Sequence, residues 1–216
     1  MGIYLFNRDV LVELLKTTDY EDFGKQVFPT SIAARHVQVH LFDGYWEDIG
    51  TIRAFYEANL ALTSPNPPFE FAAEDAPIYS RTRSLPPTRI DGATIVGSLL
   101  ADGCVIGEGS VIENSVVGLR CRIGRNVTVR NSVLMGADYY QSPDEIAADV
   151  ARPPVGIGAG SRLQGVIVDK NCRIRQNVRV QCESGTTADS ERSPVVVRDG
   201  VVVVPKATTL PVGWSL

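Results

Sequence analysis

The residues best equipped for chemistry in this 216-residue chain are crowded into Gly44-Tyr45-Trp46-Glu47-Asp48-Ile49-Gly50-Thr51. Two carboxylates beside a large aromatic, in a glycine-flanked loop at the end of an expected strand, stand where open α/β sheets place ligands. Hard cations such as magnesium take carboxylate oxygens, so Asp48 is a candidate metal ligand. A plainer reading is also open. Asp48 or Thr51 caps a helix that begins at Ile52, and Trp46 belongs to a core. Asp22-Phe23-Gly24 offers a carboxylate acceptor and an apolar ring, a pairing that suits a sugar, although a turn explains it as well. His36 and His40 lie four apart in an expected strand, where they share a face without converging on one metal. Lys170, beside Asp169, and Lys206 are two of only four lysines. A cation at either place could bind a phosphate as a point charge, or simply be solvated.

The elements that must position these groups fall into three segments. In residues 1–62, Gly2–Phe6 reads as a short buried strand. Val10, Leu11, Leu14 and Leu15 give Arg8–Lys16 a helical period. Tyr20–Gly24 is a turn, Lys25–Phe28 a short segment ending near Pro29, and Thr30–Ala34 a second helical stretch. Val37–Phe42 alternates as a strand does, and Ile52–Leu62 is helical. Strand–helix–strand–helix fits one edge of an α/β sheet and is too little to close one. Residues 63–89 hold Pro65, Pro67, Pro68, Pro77, Pro86 and Pro87. That density favours extended chain, a linker pinned by Phe69, Phe71, Ile78 and Tyr79.

From residue 90 to 216 the chain repeats. Ile106-Gly107 opens IGEGSVIENSVVGLRCR, and Ile123-Gly124, one 17-residue step later, opens IGRNVTVRNSVL; Ile157 and Ile174 repeat the step. Hexad leads Ile106, Ile112, Ile123, Val129, Ile157, Leu163 and Ile174 are aliphatic. The fifth places Ser110, Val116, Val127, Val133, Ser161, Ile167 and Val178 are small or β-branched. This is the signature of a parallel β-helix, in which three short strands make a triangular coil and coils stack at ~4.8 Å. A loop at Met135–Val155 and a polar excursion at Glu183–Ser193 interrupt it, before Val195–Val197 and Val201–Val204. Cys104, Cys121 and Cys172 hold equivalent places, as stacked small residues of the prism.

Composition excludes several classes. The chain is 44% hydrophobic and 21% charged, with net charge −4. No basic arm suggests nucleic acid, and no apolar run approaches the ~20 residues of a membrane span. Four cysteines, none in a CxxC pair, argue for a reducing, cytoplasmic setting and against structural zinc. Hexapeptide prisms also serve acyltransferases, which need a histidine base in the prism; residues 90–216 contain none.

The segments MGIYLF, DFG, GYWEDIGTIRAFYEANLALT, PIYSRTRSLPP, SVVGLRCRIG, LMGADYY and IVDKNCRI occur in this order. Together they resemble the C-terminal half of glucose-1-phosphate adenylyltransferase, nearest its plant and cyanobacterial branch. The resemblance spans essentially the whole chain. It implies an α/β fragment, the edge of a Rossmann-like nucleotidyltransferase domain (1–62), then a linker (63–89) and a left-handed parallel β-helix (90–216). It implies a reaction of ATP with glucose-1-phosphate giving ADP-glucose and pyrophosphate, in glycogen or starch synthesis. By motif, Asp48 matches a catalytic, magnesium-binding aspartate. Tyr4, Asp22, Phe23 and Trp46 match residues around the glucosyl group. Asp169, Lys170 and Lys206 match the effector site, with 3-phosphoglycerate expected as activator and inorganic phosphate opposing it. A homo- or hetero-oligomer, cytoplasmic or plastidic, is also implied. The family's glycine-rich ATP loop, phosphate-binding arginine and glutamate–lysine pair belong upstream of MGIY, so the chain alone is expected to be inactive. Arg175 replaces a repeat glycine, and Pro205 directly precedes Lys206. The alternative is a non-catalytic module that binds effector or assembles with a partner.

Overall fold

Seventeen residues carry the chain once around a triangular prism. The structure is a computed structural model that describes residues 3–148, 152–181, 190–192 and 194–216. Its first coils are built from β1 (Arg89–Ile90), β2 (Thr94–Val96), β3 (Leu99–Leu100), β4 (Val105–Ile106), β5 (Val111–Glu113) and β6 (Val116–Val117). The next coil is β7 (Arg122–Ile123), β8 (Thr128–Arg130) and β9 (Val133–Leu134). After the loop come β10 (Gly156–Ile157), β11 (Arg162–Gln164), β12 (Val166–Val168), β13 (Arg173–Ile174) and β14 (Arg179–Gln181). The sequence of strands ends with β15 (Ser190–Arg192), β16 (Val195–Arg198), β17 (Val201–Val204) and β18 (Thr209–Leu210). Each prism face is one sheet, in the orders β1-β4-β7-β10-β13-β18, β14-β11-β8-β5-β2 and β15-β16-β17-β12-β9-β6-β3.

The expected leads face inward. Ile106, Ile123, Ile157 and Ile174 stack in register, as do Ile112, Val129 and Leu163, and the most exposed of the seven, Ile157, is only 6% exposed. Fifth-place serines join successive coils. Ser110 donates from Oγ to the Gly124 carbonyl at 2.8 Å and accepts from the Val127 amide at 3.1 Å. Ser161 repeats the pattern with Arg175 and Val178. A hydroxyl at that corner satisfies backbone groups that would otherwise be buried without partners, which costs about 1–3 kcal/mol each.

Cys104, Cys121 and Cys172 are buried free thiols, as their repeat phase implies. Burial pushes all three upward; Cys172 reaches about 11, and Cys121 goes higher. Thiolate is the reactive form. Peptide mapping after alkylation near pH 8 should therefore find Cys121 and Cys172 unmodified in folded protein and modified after denaturation. Prompt labelling of Cys121 in native protein would contradict this.

The prism departs from uniform parallel winding at two places. Between β9 and β10 the chain leaves the corner and forms a short helix, Pro143–Ala148. Further on, β15, β16 and β17 run antiparallel. β17 then rejoins the parallel stack on β12. Most of the Glu183–Ser193 excursion (183–189 and 193) lies outside the described residues.

The chain divides into two compact units, Met1–Trp46 and Glu47–Leu216. The first unit contains α1 (Arg8–Thr17), a π-helical turn (Phe23–Val27) and α2 (Phe28–Ala34). Asn7 caps α1 by accepting from the Asp9 amide. Pro29 sits in the first turn of α2 rather than ending a segment, because a proline there forfeits no intrahelical hydrogen bond. The two strands expected here, over the described residues 3–6 and 37–42, form no sheet and carry no regular secondary structure. Strand pairing needs a neighbouring ladder, and without one Leu5, Val39 and Leu41 turn outward, 99%, 77% and 82% exposed. His36 and His40 lie in or beside this unpaired stretch.

In the second unit α3 (Ile52–Ala61) lays Ile52, Phe55, Tyr56 and Leu60 over Val133, Ile167 and Val201 on the prism's outer face. The proline-rich stretch runs through turns and bends as far as Ala76 and carries no regular structure over 77–88, and Ile78 and Tyr79 are exposed and do not pin it. Phe69 and Phe71 meet edge to face at 5.4 Å. The stretch is tied down by polar groups instead. Thr63 donates to Asn114 Oδ1 at 2.6 Å, and Thr88 donates to the Ala101 carbonyl while accepting from the Cys104 amide.

Candidate functional site

One prism corner gathers two lysines on a single aspartate. β9, β12 and β17 are adjacent, with Leu134, Val168 and Val204 in register. Each strand runs out into the same corner, so Asp138, Lys170 and Lys206 come from three neighbouring rungs. The Ala207 amide donates to the Lys170 carbonyl, and the Asn171 amide to the Gly136 carbonyl, which holds the three turns against one another. Two ammonium groups one rung apart repel, and an anion between them removes the conflict. Here that anion is Asp138. Lys170 Nζ lies 2.8 Å from its Oδ1, and Lys206 Nζ lies 3.1 Å from its Oδ2.

Asn171 completes the arrangement. Its Nδ2 donates to Asp138 Oδ2 at 3.0 Å, and its Oδ1 accepts from the Asp138 amide at 2.9 Å. Both lysines and this amide hold the Asp138 carboxyl well below the usual carboxylate range, Lys170 contributing most. Asp169 turns its carboxylate back onto the Lys170 amide, 2.6 Å away, and so shapes the corner. Arg120 closes the other side, donating to the Ala137 carbonyl at 3.3 Å and standing over the Tyr140 ring. Pro205 does not prevent Lys206 from reaching the group. Chemically the corner gathers two ammonium groups and one side-chain amide around a single carboxylate. Sequence reasoning named Asp169, Lys170 and Lys206 but assigned no role to Asp138 or Asn171.

The loop around Asp48 resolves the earlier choice about capping. Thr51 is the N-cap of α3, its Oγ1 accepting from the Ala54 amide at 3.1 Å. Asp199, from the β16–β17 turn, accepts from the Ile52 amide at 2.9 Å. Asp48 takes no part in the cap. Its Oδ1 accepts from the Gly50 amide at 3.0 Å, closing a turn of its own loop. Magnesium is usually held by one or two carboxylates together with phosphate oxygens and water. Asp48 fits as one such carboxylate. Among the described residues no cluster of three or more metal-binding side chains exists, so other ligands to a cation there would come from the substrate, water or another chain.

In the first unit Tyr4 stacks on Phe28 with ring centroids 4.1 Å apart, and Phe6 contacts both Phe23 and Phe28. Tyr4 and Phe23 thus border one aromatic cluster, and both remain about two-fifths exposed. Asp22 caps the π-helical turn, accepting from the Lys25 amide at 2.8 Å. The turn explanation of DFG therefore holds for one carboxylate oxygen, while the Phe23 ring keeps an open face. Trp46 is 48% exposed, which removes the reading of it as core.

Comparison with known families covers both units. A model described as the GLGC left-handed parallel β-helix domain matches residues 83–214. A nucleotidyl transferase model matches residues 1–65. The β-helix match takes in more than half of the chain and supplies the hand of the winding, and the two matches occur in the order that the motifs implied. The chain belongs to the glucose-1-phosphate adenylyltransferase family of nucleotidyltransferases.

Proposed function

We propose that this chain supplies the metal-binding and sugar-facing part of ADP-glucose synthesis, together with the regulatory prism that controls it. In that reaction a phosphate oxygen of glucose-1-phosphate attacks the α-phosphorus of ATP. The bond from that phosphorus to the bridging oxygen breaks, and pyrophosphate leaves with the electron pair. Such chemistry depends on positioning and charge neutralisation. The observation that carries the reading is Asp48. Thr51 and Asp199 cap the neighbouring helix, which leaves the Asp48 carboxylate in an exposed loop and available to a magnesium ion on the phosphates. Asp22 would accept sugar hydroxyls and the Phe23 ring would pack on the sugar's apolar face, with Trp46 lining the pocket and Tyr4 bordering it. Leu5, Val39 and Leu41, exposed on stretches without helix or sheet, suit further strands of a nucleotidyltransferase sheet on another polypeptide segment. Lys170 and Lys206 would take phosphorylated effectors, 3-phosphoglycerate as activator and inorganic phosphate as antagonist, in an oligomer built through the prism.

These 216 residues contain no glycine-rich nucleotide loop, so the polypeptide by itself should form no ADP-glucose. Mixing it with a polypeptide carrying the rest of a nucleotidyltransferase domain should restore pyrophosphate release. In that mixture Asp48→Asn should lower kcat on the order of a hundredfold, since a bound metal contributes several kcal/mol to such transition states. Unchanged turnover in the Asp48→Asn mixture would remove the metal role. The lysine pair favours one further reading, a non-catalytic effector-binding module. Phosphate binding without any restored turnover would select it.

A further inference from the structure

We infer that Asp138 is the resident anion of the lysine corner, so that a phosphorylated effector binds by displacing its carboxylate from Lys170 and Lys206. The inference rests on the reading of those lysines as the effector pair, and adds the residue that sets their affinity. Both ammonium groups already engage the same carboxylate, one on each oxygen. An incoming phosphate therefore meets a filled position rather than two free cations.

The geometry makes displacement local. The main chain around Asp138 is stitched to the prism: the Ala137 amide donates to the Leu119 carbonyl, the Gly136 carbonyl accepts from the Asn171 amide, and the Asp138 amide donates to Asn171 Oδ1. Only the side chain needs to rotate. Its side chain is 39% exposed and has solvent to turn into. Once it leaves, the Asp138 amide still holds Asn171 Oδ1, and Asn171 Nδ2 is free to donate to the newcomer. A dianion with three acceptor oxygens can satisfy two lysines and Asn171 together. A monovalent anion only matches what Asp138 already provides. The corner thus selects for phosphate over carboxylate or chloride, and Asp138 sets the threshold.

The test uses the full chain with inorganic phosphate as probe, by calorimetry at low salt, where exposed charges are least screened. Each exposed ion pair is weak, so Asp138→Asn should tighten phosphate about three- to tenfold. Asp138→Ser, which cannot imitate the amide geometry, should do likewise and guards against a local refolding artefact. The gain should vanish in a chain that also carries Lys170→Ala and Lys206→Ala. It should also be constant from pH 6 to 8, because the pairing with the lysines keeps Asp138 ionised throughout that range. If Lys170→Ala/Lys206→Ala abolishes phosphate binding while both Asp138 variants bind like wild type, Asp138 is not a competitor and the effector pair stands. If the lysine variant binds as wild type does, or no form binds, the effector reading falls and takes this inference with it. An equal gain in the lysine-free background would mean a general charge effect and would overturn the role of Asp138.

Discussion

Leu163→Ala should destabilise the prism by about 2–5 kcal/mol, the usual cost of emptying a packed aliphatic position. Leu163 is fully buried on an interior strand of its sheet, with Val129 on one neighbouring strand and Val180 on the other. A coil has few ways to collapse around the gap, because its backbone is hydrogen-bonded to the coils on both sides. Val96→Ala is the matched comparison. It removes apolar volume from the same face of the prism, but Val96 is 56% exposed on the terminal strand, so its effect should stay within ~0.5 kcal/mol. The urea midpoints of the two variants measure the difference. Equal midpoints would mean that Leu163 is not part of a cooperative core.

Gly136→Ala should be nearly as severe, roughly 2–5 kcal/mol, and should also disable the anion corner. Gly136 has φ +79°, a conformation that costs a side-chain-bearing residue ~1–2 kcal/mol. An added Cβ would in addition press into the Leu119 carbonyl and the Gly118 backbone, and such overpacking adds about 1–3 kcal/mol. Gly213 separates the two effects. Its φ is +70°, yet a Cβ added there would meet nothing within 4 Å, so Gly213→Ala should cost only the conformational part. Gly136 sits two residues before Asp138, and a shift of the chain there would move the carboxylate off both lysines. Thermal unfolding compares the two alanine variants, and phosphate calorimetry on Gly136→Ala reports the corner. Identical melting of both would show that the close approach at Gly136 is not limiting.

The prism was legible because its signal is periodic. One aliphatic lead in phase says little, but Ile106, Ile123, Ile157 and Ile174 keep their phase across the Met135–Val155 loop, and the structure stacks all four. The strands near the chain start misled for the opposite reason. Alternation in Val37–Phe42 records a face for packing, but a strand exists only where another ladder lies beside it. The lysine corner was half legible. Lys170 and Lys206 occupy equivalent positions after Val168 and Val204, yet they stand 36 residues apart rather than at a multiple of 17. The antiparallel β15–β17 segment inserted between them hides their phase. Asp138 was hidden by the loop that follows it, since residues 135–155 break the hexads and read as connection. Thr51 was legible as the cap of α3, whereas the second acceptor, Asp199 on the Ile52 amide, had no local pattern around Thr51 to indicate it.

The hydrogen bond from the Ile52 amide to Asp199 spans 147 positions of sequence. Ten residues of isolated helix are marginal in water, so α3 owes its persistence to this cap and to its seat on Val133, Ile167 and Val201. Those supports are synthesised long after it. During translation α3 can take its seat only after Asp199 and the strands around it have emerged and folded back, whereas the Asp48–Gly50 turn beside it closes locally. The docking of that helix is thereby made a late event in the biogenesis of this unit.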